Sequence, residues 1–416
     1  MSSPSSPLPV GGRIATLDVI RGFALLGILI MNMPGFSTSF FIEADGSHLW
    51  KGAVDQAAEQ LREALFSGKF NSMFSLLFGL GFTIQFGRLQ RLDPEHATAI
   101  YLRRIVVLGI IGIIHATVFW TGDVLHIYAL LGLLLVFGLR RISDRTIITL
   151  MVLCMLYPAV SGALRLLVMT PEVVGALVQK AKAFEASNNA AYGHGSFFDA
   201  AREHAREIAY FYDNRWSLWG TLGFYVQMAM TMLLGLLAGR RRWAERIPEL
   251  LPRVSRLQWS ALAIGLACGV VYTVIWELQR APGPTPLKVL GSIAYWVSRL
   301  SMMIFYVLTV VRLAQRPDWA RRLAPMAAVG RMPLTNYLMQ TLICTALFYG
   351  WGFGLWGKVG PAAGFALSLA IYFAVQVPWS LWWLSRHDQG PLERLWSWLT
   401  YGRTGVRPIA AAVKPG

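Results

Sequence analysis

Charged residues are scarce in this chain of 416 residues: Asp, Glu, Lys and Arg make up only 14% of it, whereas 55% of the residues are hydrophobic. Soluble globular domains carry about 25% charged residues. The shortage excludes a soluble enzyme, a disordered chain and a nucleic-acid-binding domain. Cysteine is also rare. Cys154, Cys268 and Cys344 lie far apart in apolar runs without a CxxC pair, so neither a disulfide framework nor a zinc site is expected.

Long apolar runs take the place of charge. A membrane-spanning helix needs ~20 mostly apolar residues, and about ten such runs occur. Their approximate ranges are 14–35, 69–87, 103–120, 123–139, 146–169, 216–239, 257–278, 288–312, 326–350 and 361–385. We therefore expect an all-α, polytopic transmembrane helix bundle whose surroundings are the lipid bilayer. Because the third and fourth runs are nearly continuous, they predict a tight helical hairpin.

The basic residues predict an orientation. The net charge is +16, and an excess of Lys and Arg in cytoplasmic segments sets the topology of membrane proteins. With a cytoplasmic N-terminus, 23 of the 38 Lys and Arg residues fall in segments that face the cytoplasm. An even number of spans then places both termini inside. Since basic and aromatic residues do not interleave on a soluble face, no nucleic acid is expected as a partner.

Three segments outside the apolar runs predict further structure. Two extracytoplasmic segments, about 36–68 and 170–215, are long enough to be functional or partly helical. The second contains AAREHAREIAYFYDNRW, which predicts a helix over the outer mouth of the bundle; a catalytic role is the alternative. Near the C-terminus, GPLERLWSWLTYG predicts a short amphipathic helix in the cytoplasmic headgroup layer.

Polar residues inside the first run are candidates for function, because a charge in hydrocarbon costs about 2.5–3.5 kcal/mol on insertion scales. Asp18 and Arg21 are three residues apart, on one helix face. Asn32 follows about three turns later on much the same face. This polar stripe is either a structural ion pair that locks helices together or part of a site.

Three titratable residues cluster at the predicted hairpin: His115, Asp123 and His126. A histidine beside a carboxylate has the arrangement of a general base that is held in one tautomer. We therefore predict that His115 is a base oriented by Asp123. A metal ion is not expected, because two histidines and one aspartate need further ligands that the sequence does not offer.

Two later runs carry further polar residues at depth. The segment that begins GRMPLTNYLMQ places Arg331, Asn336 and Gln340 at spacings that keep most of them on one face. Arg299 lies in the middle of the eighth run. An arginine at this depth needs a carboxylate, a carbonyl or an anionic ligand, and Glu277 is one candidate partner.

Five segments resemble the successive signatures of the YeiB family of bacterial inner-membrane proteins. They are LDVIRGFALLGILIMN, KFNSMFSLLFGLGF, GIIHATVFWTGDVLHIYALLG, GRMPLTNYLMQTLICTALFYGWG and RHDQGPLERLWSWLTYG. The resemblance implies a bacterial cytoplasmic (inner) membrane protein. It also implies an N-terminal acyltransferase-like membrane domain at 13–170, an extracytoplasmic loop at 171–215 and a YeiB-type domain of unknown function at 216–402. A disordered tail at 1–12 and a flexible cytoplasmic tail at 403–416 complete the expected organisation.

The N-terminal half is also similar to the catalytic domain of heparan-α-glucosaminide N-acetyltransferase. This similarity implies a transmembrane-acyltransferase-like fold that binds acyl-CoA from the cytoplasm and the acceptor from the far side. Arg21 and Asn32 fall where that family has the Arg and Asn of its first helix. His48 is the residue nearest to its catalytic histidine, whereas His115 matches the histidine typical of the YeiB group.

The leading hypothesis is an acyltransferase that moves an acyl group, acetyl by resemblance, from acyl-CoA to a hydroxyl or amine of a small-molecule acceptor. Its catalytic residues are expected to be His115, Asp123 and Asn32, with Asn32 or Asn336 donating to the thioester oxyanion. Arginines bind phosphates by charge-assisted hydrogen bonds, so the CoA phosphates are expected at Arg103, Arg104, Arg240, Arg241 and Arg242. The expected substrate-binding residues are Asp18, Arg21, His48, His126, Arg299, Arg331, Asn336 and Gln340.

Alternatives remain at this stage. Transfer is either direct or through an acyl-histidine. A transporter would use the polar stripes of spans one, eight and nine as a path, with Asp18 and His115 relaying protons; the absence of an inverted sequence repeat argues mildly against it. A signalling or scaffold protein without chemistry is the third class. A homodimer is compatible with each of them.

Overall fold

The computed structural model describes residues 15–213 and 215–402, which are almost entirely helical and contain no β-strand. The helices are α1 (Ala15–Ser37), α2 (Ala53–Leu65), α3 (Lys69–Leu92), α4 (Ala97–Ile114), α5 (Leu125–Phe137), α6 (Asp144–Val168), α7 (Pro171–His194), α8 (Phe197–Asp213), α9 (Arg215–Arg240), α10 (Ile247–Leu278), α11 (Pro286–Ala314), α12 (Pro317–Arg331), α13 (Pro333–Phe348), α14 (Pro361–Ala370), α15 (Val377–Leu384) and α16 (Pro391–Tyr401). Two π-helical turns, His115–Phe119 and Ile371–Gln376, and a 3₁₀ turn, Leu139–Arg141, lie between them. The predicted all-α architecture is confirmed, and the tails predicted at 1–12 and 403–416 fall outside the described residues.

Seven helical stretches of the described residues are long and apolar enough to cross a membrane. They are Ala15–Ser37, Ala97–Phe119, Asp144–Val168, Leu218–Arg240, Ile247–Leu278, Pro286–Ala314 and Pro361–Leu384. A chain with this many apolar helices is a multi-pass membrane protein. The prediction of a polytopic bundle is therefore confirmed.

The three other predicted runs are helical but differ from these seven stretches. Helices α5 and α13 have 13 and 16 residues, and at 1.5 Å per residue they extend about 20 and 24 Å, less than the ~30 Å hydrocarbon core. Helix α3 has 24 residues, but it begins at Lys69 and carries Arg88 and Arg91 near its end. The ninth predicted run is broken at Met332, where α12 stops and Pro333 opens α13, because proline suits the first turn of a helix.

Helix α1 lies deep in the bundle and packs against α12, α13 and α14. A Cβ atom on Gly22 would lie 1.9 Å from the carbonyl oxygen of Met326, and one on Gly330 would lie 1.9 Å from that of Asp18. The backbones of α1 and α12 therefore touch, as small residues allow in membrane bundles. This contact joins the two predicted membrane domains. The packing of α3 against α9 is a second contact between the same two domains.

The two predicted helices outside the apolar runs are present. Helix α8 covers the segment AAREHAREIAYFYDNRW up to Asp213, and it packs against the π-helical turn His115–Phe119 and against α9. Asn214 in that segment lies outside the described residues. Helix α16 is the predicted C-terminal amphipathic helix, and it packs against α4 and α13.

Candidate functional site

The predicted hairpin between α4 and α5 begins with a π-helical turn that opens at His115. Such turns insert one residue into an α-helix and occur frequently at functional sites. A Cβ atom on Gly112 would lie 2.4 Å from the backbone nitrogen of His126, so glycine is required for the start of α5 to approach α4. The Trp120 indole then donates to the Gly35 carbonyl at 3.1 Å, which ties the hairpin to α1.

Asp123 bridges the two histidines of the hairpin. Its Oδ1 lies 2.8 Å from Nδ1 of His115, and its Oδ2 lies 2.7 Å from Nδ1 of His126 and accepts the backbone N–H of His126 at 3.0 Å. His115 and Asp123 are only 2% and 3% exposed. The structure therefore brings together the three residues that the sequence placed at the hairpin, which we call the His–Asp–His cluster: His115, Asp123 and His126.

A hydroxyl from a distant helix completes the cluster. Nε2 of His115 lies 2.9 Å from Oγ1 of Thr341 in α13. An ionised carboxylate only accepts hydrogen bonds, so Asp123 fixes the proton of neutral His115 on Nδ1 and leaves Nε2 as an acceptor for the threonine hydroxyl. The order hydroxyl, imidazole, carboxylate is that of a nucleophile or acceptor paired with an oriented general base.

The cluster is linked to the surface by further hydrogen bonds. Nε2 of His126 lies 2.8 Å from the hydroxyl of Tyr212, which lies 2.5 Å from the hydroxyl of Tyr225. The Tyr212 residue is 38% exposed. A continuous series of hydrogen bonds therefore links the exposed Tyr212 through His126, Asp123 and His115 to the buried Thr341.

A buried carboxylate lies beside this cluster, in α8. Glu207 accepts from the Thr121 hydroxyl at 2.5 Å, from the Asn188 side-chain amide at 2.6 Å and from the Tyr192 hydroxyl at 3.0 Å. Burial raises the pKa of Glu207 to about 7. Since Thr121 is two residues before Asp123, Glu207 anchors the turn that carries the cluster and titrates close to neutral pH.

His204 is a second buried titratable residue of α8. Its Nε2 lies 3.0 Å from the Tyr349 hydroxyl, and its ring stacks on that of Tyr192 with centroids 4.8 Å apart. Burial lowers the pKa of His204 to about 3. It is therefore a neutral packing residue at physiological pH.

The polar stripe of α1 contains an ion pair at one end and an asparagine at the other. Arg21 Nη1 donates to Asp18 Oδ1 at 2.7 Å, and Asp18 is buried, so the predicted ion pair is present where α1 meets α12. Asn32 is half-buried, and no hydrogen bond joins it to His115 or Asp123 in the part of the chain that the structure describes. The predicted spacing of the Asp18–Arg21 pair is thus confirmed, and both its part in a site and the assignment of Asn32 as an oxyanion donor stay predictions.

Asn336 and Gln340 belong to a buried structural network. The Asn336 amide nitrogen donates to the carbonyl oxygens of Val329 and Met332 at 3.1 and 3.0 Å and to the Ser380 hydroxyl at 3.0 Å. Gln340 donates to the Leu25 carbonyl at 3.2 Å and to the Gln376 side chain at 2.9 Å. These contacts hold the break between α12 and α13 and use the donors of Asn336, so its predicted oxyanion role has no support in this arrangement.

Arg299 has different neighbours from those predicted. It donates to the Gly68 carbonyl at 3.2 Å and lies over the ring of Tyr295 at 5.0 Å. The predicted pairing of Arg299 with Glu277 is wrong, because Glu277 contacts Arg280 at 3.3 Å and His48 at 3.4 Å. The Arg299 guanidinium packs directly against Gly68, where a Cβ atom would collide with it.

His48 lies in an acidic group at the end of α1 and the start of α2, apart from the His–Asp–His cluster. Ligand atoms of Glu43, His48 and Glu59 all lie within 4.8 Å of one another, although no metal site was expected from the sequence. Arg280 donates to Glu43 at 2.6 Å and already supplies a positive charge to this group. The arrangement is thus explained by ion pairing.

Three of the predicted phosphate ligands lie at the end of α9. Arg240 donates to three carbonyl oxygens of the segment 139–142 at 2.6 to 3.1 Å and also contacts Asp144 at 3.4 Å. Arg241 donates to Asp144 at 3.1 Å, and Arg242 is exposed. Arg240 therefore holds the α5–α6 connection, whereas Arg241 and Arg242 are both exposed.

The remaining predicted arginines also include an exposed residue and residues that contact other helices or loops. Arg103 is exposed, whereas the Arg104 guanidinium lies 3.5 Å from the ring centre of Trp396, whose indole donates to the Arg104 carbonyl at 2.9 Å. Arg331 donates to the Asp388 carbonyl at 3.5 Å. Arg104 therefore docks α16 on α4, whereas the Arg103 side chain is exposed.

Comparison with known proteins finds relatives that match the chain over nearly its whole length. A family model described as "Protein of unknown function (DUF418)" matches residues 238–403. The chain is 32% identical to "Uncharacterized protein YxaH" of Bacillus subtilis (strain 168), over 99% of this chain and 100% of that protein. It is 29% identical to "Uncharacterized protein YeiB" of Escherichia coli (strain K12), over 94% of this chain and 97% of that protein.

Proposed function

We propose that this chain, which belongs to the YeiB family of membrane proteins, is an acyl-CoA-dependent acyltransferase of the bacterial cytoplasmic membrane. The observation that carries the proposal is the hydrogen-bonded series of Thr341, His115 and Asp123, with an oriented imidazole nitrogen facing a hydroxyl at 2.9 Å. Acyl transfer to an alcohol or amine needs a base in this position. The acyl group, acetyl by resemblance, would pass to a small-molecule acceptor such as a sugar, a lipid or a secondary metabolite.

In this mechanism the Thr341 hydroxyl marks the place that the acceptor hydroxyl takes. His115 Nε2 accepts the acceptor's proton as its oxygen attacks the thioester carbonyl, and Asp123 stabilises the imidazolium that forms. When the tetrahedral intermediate collapses, the C–S bond breaks and the CoA thiolate takes the proton from His115. The products are the acylated acceptor and CoA thiol, and His115 returns to its neutral form.

The CoA phosphates would bind at arginines that the fold itself does not use. Arg103 and Arg242 are exposed. The contact of Arg241 is an ion pair with Asp144, which Arg240 also contacts. Charge-assisted contacts from such residues recognise phosphates. Arg104 and Arg240 are left out of this set, because their guanidinium groups hold α16 and the α5–α6 connection.

Radiolabelled acetyl-CoA with purified protein in detergent tests the proposal. We expect slow hydrolysis without acceptor, and transfer of label to a hydroxyl or amine compound when an extract of small molecules is added. The His115→Gln variant is the matched control, because glutamine keeps the size and hydrogen bonding but cannot take a proton near neutral pH. Equal turnover by wild type and His115→Gln, or no acetyl-CoA binding by folded wild type, contradicts an acyltransferase.

The second candidate is a proton-coupled transporter, and a specific observation favours it. The chain of hydrogen bonds from Tyr212 through His126, Asp123 and His115 to Thr341 resembles the Asp and His relays of pumps and transporters. Uptake of a solute into proteoliposomes that follows an imposed pH gradient, without acetyl-CoA turnover, would select this function. A scaffold would show neither activity.

A further inference from the structure

A cavity of the described residues lies away from the His–Asp–His cluster, between the ends of α6, α7, α10 and α11. Its volume is about 420 Å³, within the range of about 300–1,000 Å³ that small-molecule sites occupy. Its walls include Val178 and Ala181 of α7, Ile275 of α10 and Val289 of α11. None of its lining residues belongs to the His–Asp–His cluster, so it is a separate site.

The charged lining of this cavity is entirely positive. Arg165 of α6 and Lys288 of α11 line it, and no Asp or Glu does. Lys288 donates to the carbonyl oxygens of Ala281 and Gly283 at 2.5 and 2.8 Å, which uses two of its three donors. The ammonium therefore keeps one donor for a ligand at the mouth of the cavity.

Arg165 is the stronger indication of a ligand. Within 15–213 and 215–402 no carboxylate lies within ion-pair distance of its guanidinium, and its recorded contact is with the ring of Trp219 at 5.7 Å. A half-buried arginine in a membrane-spanning stretch either extends to the interface or pairs with an anion or a carbonyl. Since the described residues give the Arg165 guanidinium neither a carboxylate nor a carbonyl partner, and since it lines this cavity, an anionic ligand is the partner that fits.

The position of the cavity selects the rest of the ligand. It opens at the ends of three apolar helices, where Tyr272 and the half-exposed Trp276 line it; tryptophan and tyrosine are enriched where a helix leaves the hydrocarbon. An apolar chain can enter such a cavity from the bilayer while its head group stays at the interface. We propose that this cavity binds an anionic amphiphile, with a carboxylate or phosphate held by Arg165 and Lys288 and an apolar tail against α7, α10 and α11.

A photoactivatable palmitate tests the site in protein reconstituted in phosphatidylcholine nanodiscs. We expect cross-links from the tail to map to peptides of α7, α10 and α11, and unlabelled palmitate to compete with them. Palmitate methyl ester should compete about tenfold less well, because a hydrogen bond between charged groups adds more than 1 kcal/mol to binding. Competition by phosphatidylglycerol would identify a phospholipid head group as the natural anion. Competition by inorganic phosphate at the same concentration would overturn the proposal that the ligand is an amphiphile.

Two variants and one control complete the test. Arg165→Gln should reduce labelling about tenfold, and Val178→Trp should abolish it by filling the cavity. Arg202→Gln removes an exposed arginine of α8, so its labelling should equal that of wild type. If Val178→Trp does not fold, as judged by thermal melting, Arg165→Gln decides alone. Unchanged labelling in Arg165→Gln, or cross-links spread evenly over the lipid-facing residues of α6, overturns the proposal.

Discussion

Glu393 of α16 closes the first turn of α13 at Thr335. One carboxylate oxygen accepts the Thr335 hydroxyl at 2.6 Å, and the other accepts the backbone N–H groups of Leu334 and Thr335 at 2.6 and 3.1 Å. The first N–H groups of a helix have no partner within it and carry the positive end of its dipole. A carboxylate from another helix therefore provides the cap that α13 does not supply itself, and it positions the helix that carries Thr341.

This contact predicts that Glu393→Gln destabilises the protein by about 1–2 kcal/mol, because the amide loses one acceptor oxygen and the negative charge. Thermal melting in detergent measures the loss. Glu245→Gln serves as control, because Glu245 is exposed and should melt with the wild type. Equal melting of all three proteins would show that the cap contributes nothing.

Activity should follow the order of contacts in the His–Asp–His cluster. We expect His115→Gln to lose about 10²–10⁴-fold in acyl transfer, as loss of a general base does. Asp123→Asn should cost less or shift the pH optimum, since it disturbs the tautomer, and His126→Gln should be mildest. Initial rates with acetyl-CoA give the ranking, and a melting curve for each variant separates catalysis from unfolding. A His126→Gln defect as large as that of His115→Gln contradicts it.

Glu207 predicts a pH dependence of stability. Because burial raises its pKa to about 7 from the ordinary 4.5, the folded state binds more protons than the unfolded state between these values. Stability should therefore fall as pH rises from about 4.5 to about 7 and level off above. Melting temperatures across this range should show a smaller fall in Glu207→Gln than in wild type. Parallel curves for the two proteins would remove Glu207 as the cause.

Substitutions of the arginines at the end of α9 are expected to separate an effect on stability from an effect on acyl-CoA binding. Arg240→Gln should lower the free energy of unfolding by about 1–3 kcal/mol, because it leaves carbonyl oxygens of the α5–α6 connection without a donor. Arg242→Gln should change stability by less than about 0.5 kcal/mol and should weaken acyl-CoA binding at low salt. Calorimetric unfolding and CoA binding are measured on both. A stable Arg240→Gln protein would contradict the structural role.

The predicted orientation can be tested by labelling single cysteines in a protein without Cys154, Cys268 and Cys344. Gly122 at the hairpin is unsuitable, because a Cβ atom there would lie 2.3 Å from the Trp120 ring. Arg202 and Arg321 each have side chains 81% exposed. We expect a membrane-impermeant thiol reagent to label Arg202→Cys in intact cells and Arg321→Cys only after lysis. Labelling of both from one side overturns the topology.

The sequence predicts those parts of this protein that depend on local pattern. Length and apolarity identify the helices, and spacing along one chain segment brings His115, Asp123 and His126 together. The Asp18–Arg21 pair is predicted for the same reason, since residues three apart share a helix face. Each of these relationships lies within about a dozen residues.

Contacts between distant segments could not be predicted in this way. Thr341 lies 226 residues from His115, and nothing in its neighbourhood distinguishes it from the other threonines of the ninth run. Glu207 lies in a segment of mixed charge, where burial is invisible from composition. The pairing of Arg299 with Glu277 failed for a related reason: the acceptor is a backbone carbonyl at Gly68, which carries no side-chain signal.

The backbone contact between Gly22 and Gly330 also sets an order of events during biosynthesis. The ribosome adds 308 residues between these two positions, which takes about 15–60 s at ~5–20 residues per second. During that interval the surface of α1 that finally meets α12 has only lipid or an insertion chaperone beside it. Helix α1 therefore reaches α12 long after it has itself been made, and a chain that is cut before α12 keeps α1 in the membrane without this contact.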